Sequence, residues 1–482
     1  MSATKKLFTS AAFSSGAKIL QRALGLISTL ILARLLTPDD FALIAIVTLS
    51  LYFFDVLSQS GSDPYIVQKQ QVNNDDLNTS WTLDLLLKLS FFLLFILLAS
   101  PIAAFFSQPQ LVLGLQVASI TLVINALRNP GIILFKRDLD YKYLFYLSLV
   151  QKIIGFIVVV YLAFTFKNYW AFIIADIVAS LFFLVGSYVI HKFRPTLSLL
   201  KVREQWRFSK WYLCKNVVGY LRSQVDTIIV AKFFSTTQLG NYHMARDIAM
   251  LPAYNLLGPA IEPLLANFKD YKHDPSNLGI RLTAVLCIVT FIATPIACFV
   301  ALYPKLIIGV LLGEQWTLAV YFLPIMTMLF YYYVFLLVAE SGFIAIGRVK
   351  DVFVFDLLSL FTHIIIFAVF LSLDYALIDL LWVRAIAGIC LTSIQILYLS
   401  KLIDISFAKI VVNFFTAVFL SIVASVASLG AISIEAGDLA SLLLVGLTFS
   451  ITFLMGIVLF AYFVRSTRIE RLYPFEFLKA KN

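Results

Sequence analysis

Apolar stretches long enough to cross a membrane recur from one end of this chain to the other, separated by short polar segments. A spanning helix needs about 20 mainly apolar residues, and helices are favoured in lipid because they satisfy their own backbone hydrogen bonds. The chain is 61% hydrophobic and 13% charged, whereas about 25% of residues are charged in a typical soluble domain. The sequence therefore predicts an all-α polytopic membrane protein with about 14 transmembrane helices. The predicted spans are residues 14–36, 41–58, 82–106, 111–134, 144–166, 170–191, 209–234, 240–265, 280–302, 317–345, 352–373, 375–400, 410–432 and 439–464.

The 37 lysines and arginines are distributed unevenly between the two sides of these spans. Most lie at the termini or in the even-numbered connections, whereas the odd-numbered connections and their edges hold Arg34, Lys167, Lys232 and Lys305. By the positive-inside rule, this predicts a multi-pass protein with both termini in the cytoplasm. The net charge of +10 is thus explained by membrane topology and by attraction to anionic lipid head groups. We therefore expect membrane lipids, and no nucleic acid, as partners.

The chain also contains an internal repeat. Residues 33–37 (ARLLT) align with 231–235 (AKFFS) at an offset of 198, and residues 136–141 align with 347–352 at an offset of 211. Six spans per block is an even number, so both blocks enter the membrane in the same orientation, as parallel repeats do. We predict two six-helix lobes, followed by two further helices. The predicted domains are residues 1–191 for the first lobe, 192–210 for a basic cytoplasmic linker, 211–401 for the second lobe, and 402–482 for two additional helices and a cytoplasmic tail.

Two of the predicted spans carry a polar stripe at helical spacing. The first polar stripe, in span one, consists of Ser14, Lys18, Arg22, Gly25 and Thr29. The second, in span seven, consists of Lys215, Gly219, Arg222, Ser223 and Asp226. A charged side chain facing lipid at the bilayer centre costs about 2.5 to 3.5 kcal/mol on insertion scales. We therefore expect both stripes to line a water-filled cavity. An alternative stays open for the second stripe, because Arg222 and Asp226, four residues apart, can form a purely structural ion pair.

Basic side chains outnumber acidic ones in the spans nearest to these stripes. An excess of positive charge in a low-dielectric cavity favours an anionic ligand, and phosphate or pyrophosphate fits best. The predicted substrate-binding cations are Lys18, Arg22, Arg128, Lys152, Lys215, Arg222 and Arg246, against the acidic residues Asp226, Asp247 and Glu262.

Carboxylates inside the spans suggest a second role, the coupling of transport to an ion. Glu340 and Asp356, in spans ten and eleven, could each bind and release a proton or a sodium ion, or could pair with a neighbouring basic residue. We group them with Asp226 and Asp247 as positioning or ion-coupling residues. The sequence has no Walker-type glycine loop, no serine elbow and no His, Cys and carboxylate cluster with metal spacing. We therefore expect neither enzyme activity nor a cofactor or metal site.

Several segments resemble one known family. QRALGLISTLILARLLTPDDF (21–41) and the segment at 60–89 are similar to the N-terminal signature of bacterial polysaccharide exporters and lipid-linked oligosaccharide flippases. AKFFSTTQLGNYHMARDIAMLP (231–252) and LLGEQWTLAVYFLPIM (311–326) resemble parts of their second half. Two departures concern the first half, which has Ala42 where many members have glycine, and Asp63-Pro64 where relatives often carry small apolar residues. Fourteen spans suit the longer, colanic acid exporter branch.

The resemblance implies a location, a substrate and partners. The family belongs to the superfamily of multidrug and toxin extruders and the lipid II flippase, which implies two lobes around a V-shaped cavity in the bacterial cytoplasmic membrane. It implies a flippase that moves an undecaprenyl-pyrophosphate-linked oligosaccharide to the outer leaflet, working with other polysaccharide assembly proteins.

Three other classes of protein fit the sequence less well than a flippase. An ion-coupled multidrug antiporter of the same superfamily would favour an acidic cavity. A polysaccharide polymerase or ligase would need a sizeable periplasmic loop with catalytic Arg or His, and a scaffolding protein would not need unbalanced basic residues in its core.

Overall fold

The computed structural model describes residues 20–138, 140–261, 274–432 and 438–466, and all regular structure in these ranges is helical. Ten helices in the described residues are long and apolar enough to cross a membrane. The predicted all-α polytopic fold is therefore confirmed, and the count of fourteen spans stays a prediction.

The chain groups into two compact units, Met1–Gly240 and Asn241–Asn482. Helix α11 begins in the first unit and continues into the second. The helices that begin in the first unit are α1 (20–35), α2 (Pro38–Leu57), α3 (Ser62–Gln68), α4 (Asn74–Phe105), α5 (Leu111–Ala118), α6 (Ile120–Ala126), α7 (Ile132–Arg137), α8 (Lys142–Phe166), α9 (Trp170–Ile190), α10 (Val202–Phe233) and α11 (Thr236–Pro252). The others are α12 (258–261 in its described part), α13 (Pro275–Leu302), α14 (Pro304–Leu311), α15 (Thr317–Ala345), α16 (Val349–Ser372), α17 (Leu377–Ser400), α18 (Phe407–Ile432) and α19 (Asp438–Ser466).

Helix α2 forms the centre of the first unit. Its start is fixed by a capping box, in which the Thr37 side chain accepts from the Asp40 backbone and the Asp40 side chain accepts from the Thr37 backbone. Along its length it contacts α4, α5 and α10. Phe54 of α2 meets the fully buried Phe95 of α4 edge to face, with ring centroids 4.6 Å apart. Most of α2 is therefore buried within this unit.

The start of α2 also meets the start of α11, and the end of α10 meets the end of α4. Thr237 Oγ1 donates to Asp39 Oδ1 at 2.8 Å. The Gly240 backbone lies so close to Pro38 that a Cβ built on Gly240 would be 2.7 Å from the carbonyl carbon of Pro38 and closer still to its oxygen. Lys232 Nζ donates to the carbonyl oxygen of Phe105 at 2.6 Å. Because an added Cβ would collide with backbone rather than with a movable side chain, this close approach requires glycine at position 240.

The predicted span 111–134 is not one continuous helix. The structure divides it into α5, α6 and α7, with a non-helical break around Asn129 and Pro130. The Asn129 side chain, fully buried, donates to the carbonyl oxygens of His191 (3.0 Å) and Phe193 (2.8 Å) and accepts from the Gly131 backbone N–H (2.9 Å). The side chain supplies an acceptor for the Gly131 N–H within the break and joins the break to the segment that follows α9, which stabilises it inside the unit.

The second unit is built around α13, α15, α17 and α18. Its core includes the fully buried Phe330 and Phe343 of α15 and Leu282 of α13. Predicted span eight, residues 240–265, is interrupted after Pro252 by a π-helical turn, Ala253–Leu257. Proline has no backbone N–H to donate, and a local π turn is one way in which a helix accommodates this loss.

Large apolar side chains point outward from both units. Leu97 of α4 is 73% exposed, Val189 of α9 is 79% exposed and Val458 of α19 is 68% exposed. So much exposed apolar surface is expected where helices face lipid rather than water.

A polar cluster ties α3 and α4 to the first turn of α10. Lys69 Nζ lies 2.7 Å from Asp76 Oδ1, 3.1 Å from Glu204 Oε1 and 2.9 Å from the Tyr65 hydroxyl. Hydrogen bonds from Tyr65 and Lys69 lower the pKa of Glu204. The folded chain therefore favours the charged carboxylate.

We expect Glu204→Gln to lower stability at neutral pH by no more than about 1 kcal/mol, as for other exposed ion pairs. A lowered folded pKa gives stability that is present above the unfolded pKa of about 4.3 and is lost as the pH falls through the folded pKa. The difference in melting temperature between wild type and variant should therefore shrink on acidification. Glu314→Gln, at an exposed glutamate of the second unit, is the matched control. A difference that grows on acidification would contradict this account.

Candidate functional site

A polar cavity of about 380 Å³ lies within the first unit. It is bounded by the end of α2, by α3 and α4, by the break between α6 and α7, and by α9. Two chain segments that line the cavity, the connections between predicted spans two and three and between predicted spans four and five, are predicted to lie on the cytoplasmic side. Its polar and aromatic wall residues include Asp55, Gln59, Ser60, Ser62, Asp63, Ser80, Trp81, Asp84, Lys88, Asn125, Arg128, Asn129, Lys136 and Phe183.

Helix periodicity and one special backbone conformation bring these residues together. Ser80, Asp84 and Lys88 of α4 are four residues apart, so they lie one above another on one helical face. Gly61, with φ of 68°, is in the left-handed region, which glycine adopts without steric cost. It turns the chain between α2 and α3, placing Ser60 beside Asp84, to which the Ser60 hydroxyl donates a hydrogen bond.

The charges of the cavity balance. Lys88 Nζ lies 3.6 Å from Asp55 Oδ1, and Lys136 Nζ lies 2.7 Å from Asp63 Oδ2. Asp84 is the third acid of the wall and Arg128 the third base. The wall therefore holds three formal positive and three formal negative charges, which lowers the cost of keeping them within a membrane protein.

Several polar atoms in this wall are buried without a hydrogen-bond partner among the described residues. They are Asp55 Oδ1, Trp81 Nε1, Asn125 Oδ1 and Arg128 Nε. The Arg128 guanidinium instead stacks over Phe183, with Cζ 4.3 Å from the ring centre. A buried polar group without a hydrogen bond costs about 1 to 3 kcal/mol. The nearby Lys88 offsets part of this cost at Asp55, but the other three atoms call for an explanation.

The predicted binding cations are distributed over more than this cavity. Arg128 lines it, whereas Lys152 of α8 lies in a separate groove of about 470 Å³ between α1, α8 and α9. Gly25 and Thr29 of the first polar stripe face that groove, and a Cβ on Gly25 would be 3.6 Å from Lys152 Nζ. Arg22, on α1, is partly buried. Lys18 and Glu262, and the side chain of Lys215, lie outside the described residues.

The second polar stripe changes its environment along α10. A Cβ on Gly219 would meet nothing within 4 Å, whereas Asp226, two turns further on, is 1% exposed. Arg222 lies between them and is partly buried. Helix α10 is anchored to α2 on its other side, where the buried Tyr220 hydroxyl donates to the Leu49 carbonyl oxygen at 2.6 Å. The stripe therefore runs from an open environment at Gly219 to a closed one at Asp226.

The candidate residues of the second unit lie apart from one another in the sequence. Arg246 on α11, Glu340 on α15 and Asp356 on α16 are partly buried. The Asp247 side chain is 52% exposed and its Oδ2 lies 3.5 Å from His243 Nδ1. In the described ranges no group of three or more His, Cys, Asp or Glu residues could hold a metal ion.

Among the wall residues of the cavity, Arg128 was a candidate from sequence, and the others were not. Trp81, Asp84 and Asn125 were not predicted, because an excess of basic residues does not identify neutral or acidic residues. A signal was present for Asp84, because Ser80, Asp84 and Lys88 form a four-residue polar repeat at the start of an otherwise apolar helix.

Comparison with known proteins places this architecture in a family. A family model described as polysaccharide biosynthesis protein matches residues 31–321. The chain is 23% identical over 321 residues to an uncharacterized membrane protein in the cps region of Klebsiella pneumoniae, covering 66% of each chain. It is 22% identical over 324 residues to the lipopolysaccharide biosynthesis protein WzxC of Escherichia coli K12, covering 66% of this chain and 65% of that one. These alignments thus span slightly less than two thirds of the relatives' own lengths.

A solved structure extends the likeness to nearly the whole chain. The lipid II flippase MurJ, in an inward closed conformation, superposes with a TM-score of 0.77 and 16% identity, covering 95% of this chain and 99% of MurJ. At this identity the likeness establishes the fold alone, and it confirms the predicted fold class; the domain bounds and the number of spans stay predictions. Because the family model covers more than half of the sequence, the chain belongs to the polysaccharide biosynthesis protein family.

Proposed function

We propose that this protein is a flippase that moves an undecaprenyl-pyrophosphate-linked oligosaccharide across the bacterial cytoplasmic membrane by alternating access. The observation that carries the proposal is a charged, hydrogen-bonding cavity inside a bundle whose outer surface is apolar. A lipid-linked glycan needs both environments, because its sugars and phosphates must cross the bilayer while its polyprenyl tail stays in lipid. The matched relatives' names, lipopolysaccharide biosynthesis protein and lipid II flippase, support this substrate class.

The cations predicted from the sequence would hold the pyrophosphate. Arg22 of α1 and Arg222 of α10 lie on the two polar stripes, and a guanidinium can bind phosphate oxygens through two parallel hydrogen bonds. Lys18, Lys152, Lys215 and Arg246 would add positive charge, whereas Arg128 belongs to the wall of the charge-balanced cavity. Asp226, buried on α10 one turn from Arg222, would position that arginine. Glu340 or Asp356 would couple transport to a proton or a sodium ion, and both termini would lie in the cytoplasm.

We expect the double variant Arg22→Ala, Arg222→Ala to abolish polysaccharide export in a complementation assay, because the pyrophosphate loses its two bidentate partners. Losing two such charged contacts should reduce transport by at least about a hundredfold. Arg203→Ala, at an exposed arginine of α10 outside the predicted span, is the matched control and should export normally. Protein levels in the membrane must be equal in all strains.

Normal export by the double variant at normal protein level would contradict the assignment of Arg22 and Arg222 to the pyrophosphate site. A second assay, the extrusion of a cationic dye, distinguishes a multidrug antiporter from a flippase. Efflux of the dye that depends on an ion gradient, in cells that show no polysaccharide export, would favour the antiporter.

A further inference from the structure

The charge balance of the cavity in the first unit limits what it can bind. Its acids and bases already neutralise one another, in part through the Lys88–Asp55 and Lys136–Asp63 pairs. A pyrophosphate placed there would introduce negative charge that no excess base offsets. The cavity therefore suits a ligand, or part of a ligand, without net charge.

The unsatisfied polar atoms of the wall indicate the chemistry of that ligand. Trp81 Nε1 and Arg128 Nε are donors, whereas Asp55 Oδ1 and Asn125 Oδ1 are acceptors. A hydroxyl group both donates and accepts, so a molecule with several hydroxyls can satisfy donors and acceptors together once small side-chain shifts expose them. Trp81 also contributes an apolar ring surface, which suits the C–H face of a sugar ring. A volume of about 380 Å³ is in the range of small-molecule sites.

The cavity is linked to the helix that carries the second polar stripe. Gln59, in its wall, accepts a hydrogen bond at 3.1 Å from Asn216 Nδ2 of α10. Asn216 is the neighbour of Lys215 and lies one turn before Tyr220, which anchors α10 to α2. The cavity wall is therefore in direct contact with α10, the helix that carries Arg222.

We propose that this cavity is a sugar subsite, which binds an uncharged sugar ring of the lipid-linked substrate through Asp55, Trp81, Asn125 and Arg128, while the pyrophosphate binds elsewhere. This inference rests on the proposed function and deepens it. On this proposal, the first unit distinguishes one glycan from another.

The test uses the full chain in lipid nanodiscs and two separate probes. The first is lipid-free oligosaccharide released by mild acid from the host's own lipid-linked pool, and the second is undecaprenyl pyrophosphate without sugar. We expect Trp81→Leu and Asn125→Leu each to weaken oligosaccharide binding by about tenfold, the effect of losing one or two hydrogen bonds. Both variants should bind undecaprenyl pyrophosphate as wild type does. Asn277→Leu, at an exposed asparagine of the second unit, is the matched control.

A second measurement does not depend on variants of the polar wall. In a chain whose four cysteines are replaced by alanine, Leu144→Cys places a thiol in the cavity wall. Oligosaccharide should slow its reaction with N-ethylmaleimide, and undecaprenyl pyrophosphate should not.

Three results would overturn the sugar subsite: unchanged oligosaccharide binding in both wall variants, equal weakening of both probes, or no protection of the thiol. If undecaprenyl pyrophosphate still binds and export is still complemented, these results leave the flippase proposal standing. Failure of the flippase proposal itself would instead appear as no binding of undecaprenyl pyrophosphate and no complementation by the wild-type chain.

Discussion

Gly240→Ala should lower the free energy of unfolding by at least about 3 kcal/mol, among the largest effects of any single methyl group in this chain. The new Cβ would lie 2.7 Å from the carbonyl carbon of Pro38 and still closer to its oxygen. Side chains can rotate away from such a collision, but the first turn of α2 is held by its capping box and cannot. We expect a large fall in melting temperature and in the yield of monodisperse protein from membranes.

Gly309→Ala is the matched control for this experiment. Gly309 also lies inside a helix, α14, but a Cβ added there meets nothing within 4 Å. Alanine is the better helix former, so this variant should be as stable as wild type or more stable by up to about 1 kcal/mol. Equal melting temperatures for Gly240→Ala and wild type would show that the α2–α11 contact is looser than the structure has it.

Asn129→Ala should be almost as destabilising, by about 3 kcal/mol. The variant loses the two hydrogen bonds to the carbonyl oxygens of His191 and Phe193 and the one from the Gly131 backbone N–H. The Gly131 N–H is buried and would be left without an acceptor, whereas the two carbonyl oxygens keep a second donor, Arg194 Nη1. Thermal unfolding followed by size-exclusion chromatography measures the effect.

Asn277→Ala is the control for the loss of an asparagine side chain. Asn277 is exposed, and its side-chain amide donates a hydrogen bond to the nearby Asp274 carboxylate. Its replacement should therefore change the free energy of unfolding by no more than about 0.5 kcal/mol. If Asn129→Ala and Asn277→Ala have the same melting temperature, the break between α6 and α7 does not depend on Asn129.

Hydropathy predicted those helices whose ends are set by local sequence. Residues 317–345 were predicted as a span and form α15 (Thr317–Ala345), and 170–191 corresponds to α9 (Trp170–Ile190). In each case an apolar run is bounded by residues that interrupt it. The division of 111–134 could not be predicted in this way, because the bonds that stabilise it join Asn129 to residues 62 and 64 positions away.

The candidate site was predictable to a similar, partial degree. Charge in an apolar span is visible in sequence, and Arg128 was identified on that basis. Its neighbours were not, because Asp55 and Lys88 form their ion pair across two helices, and Asp84 receives its hydrogen bond from Ser60 in a connection. Periodicity specifies which side of a helix a residue occupies, but not which helix faces that side.

The hydrogen bond between Thr237 and Asp39 joins residues 198 positions apart, the same distance that separates the two aligned repeats around it. The hydrogen bond thus joins two residues that occupy equivalent positions in the two repeats. In a symmetric dimer of a single repeat, this position would face an identical residue, and two aspartates there would repel each other. Fusion of the repeats into one chain removes that constraint, because each copy can diverge by itself. A donor can then stand opposite an acceptor, a pairing that gene duplication makes available and strict two-fold symmetry forbids.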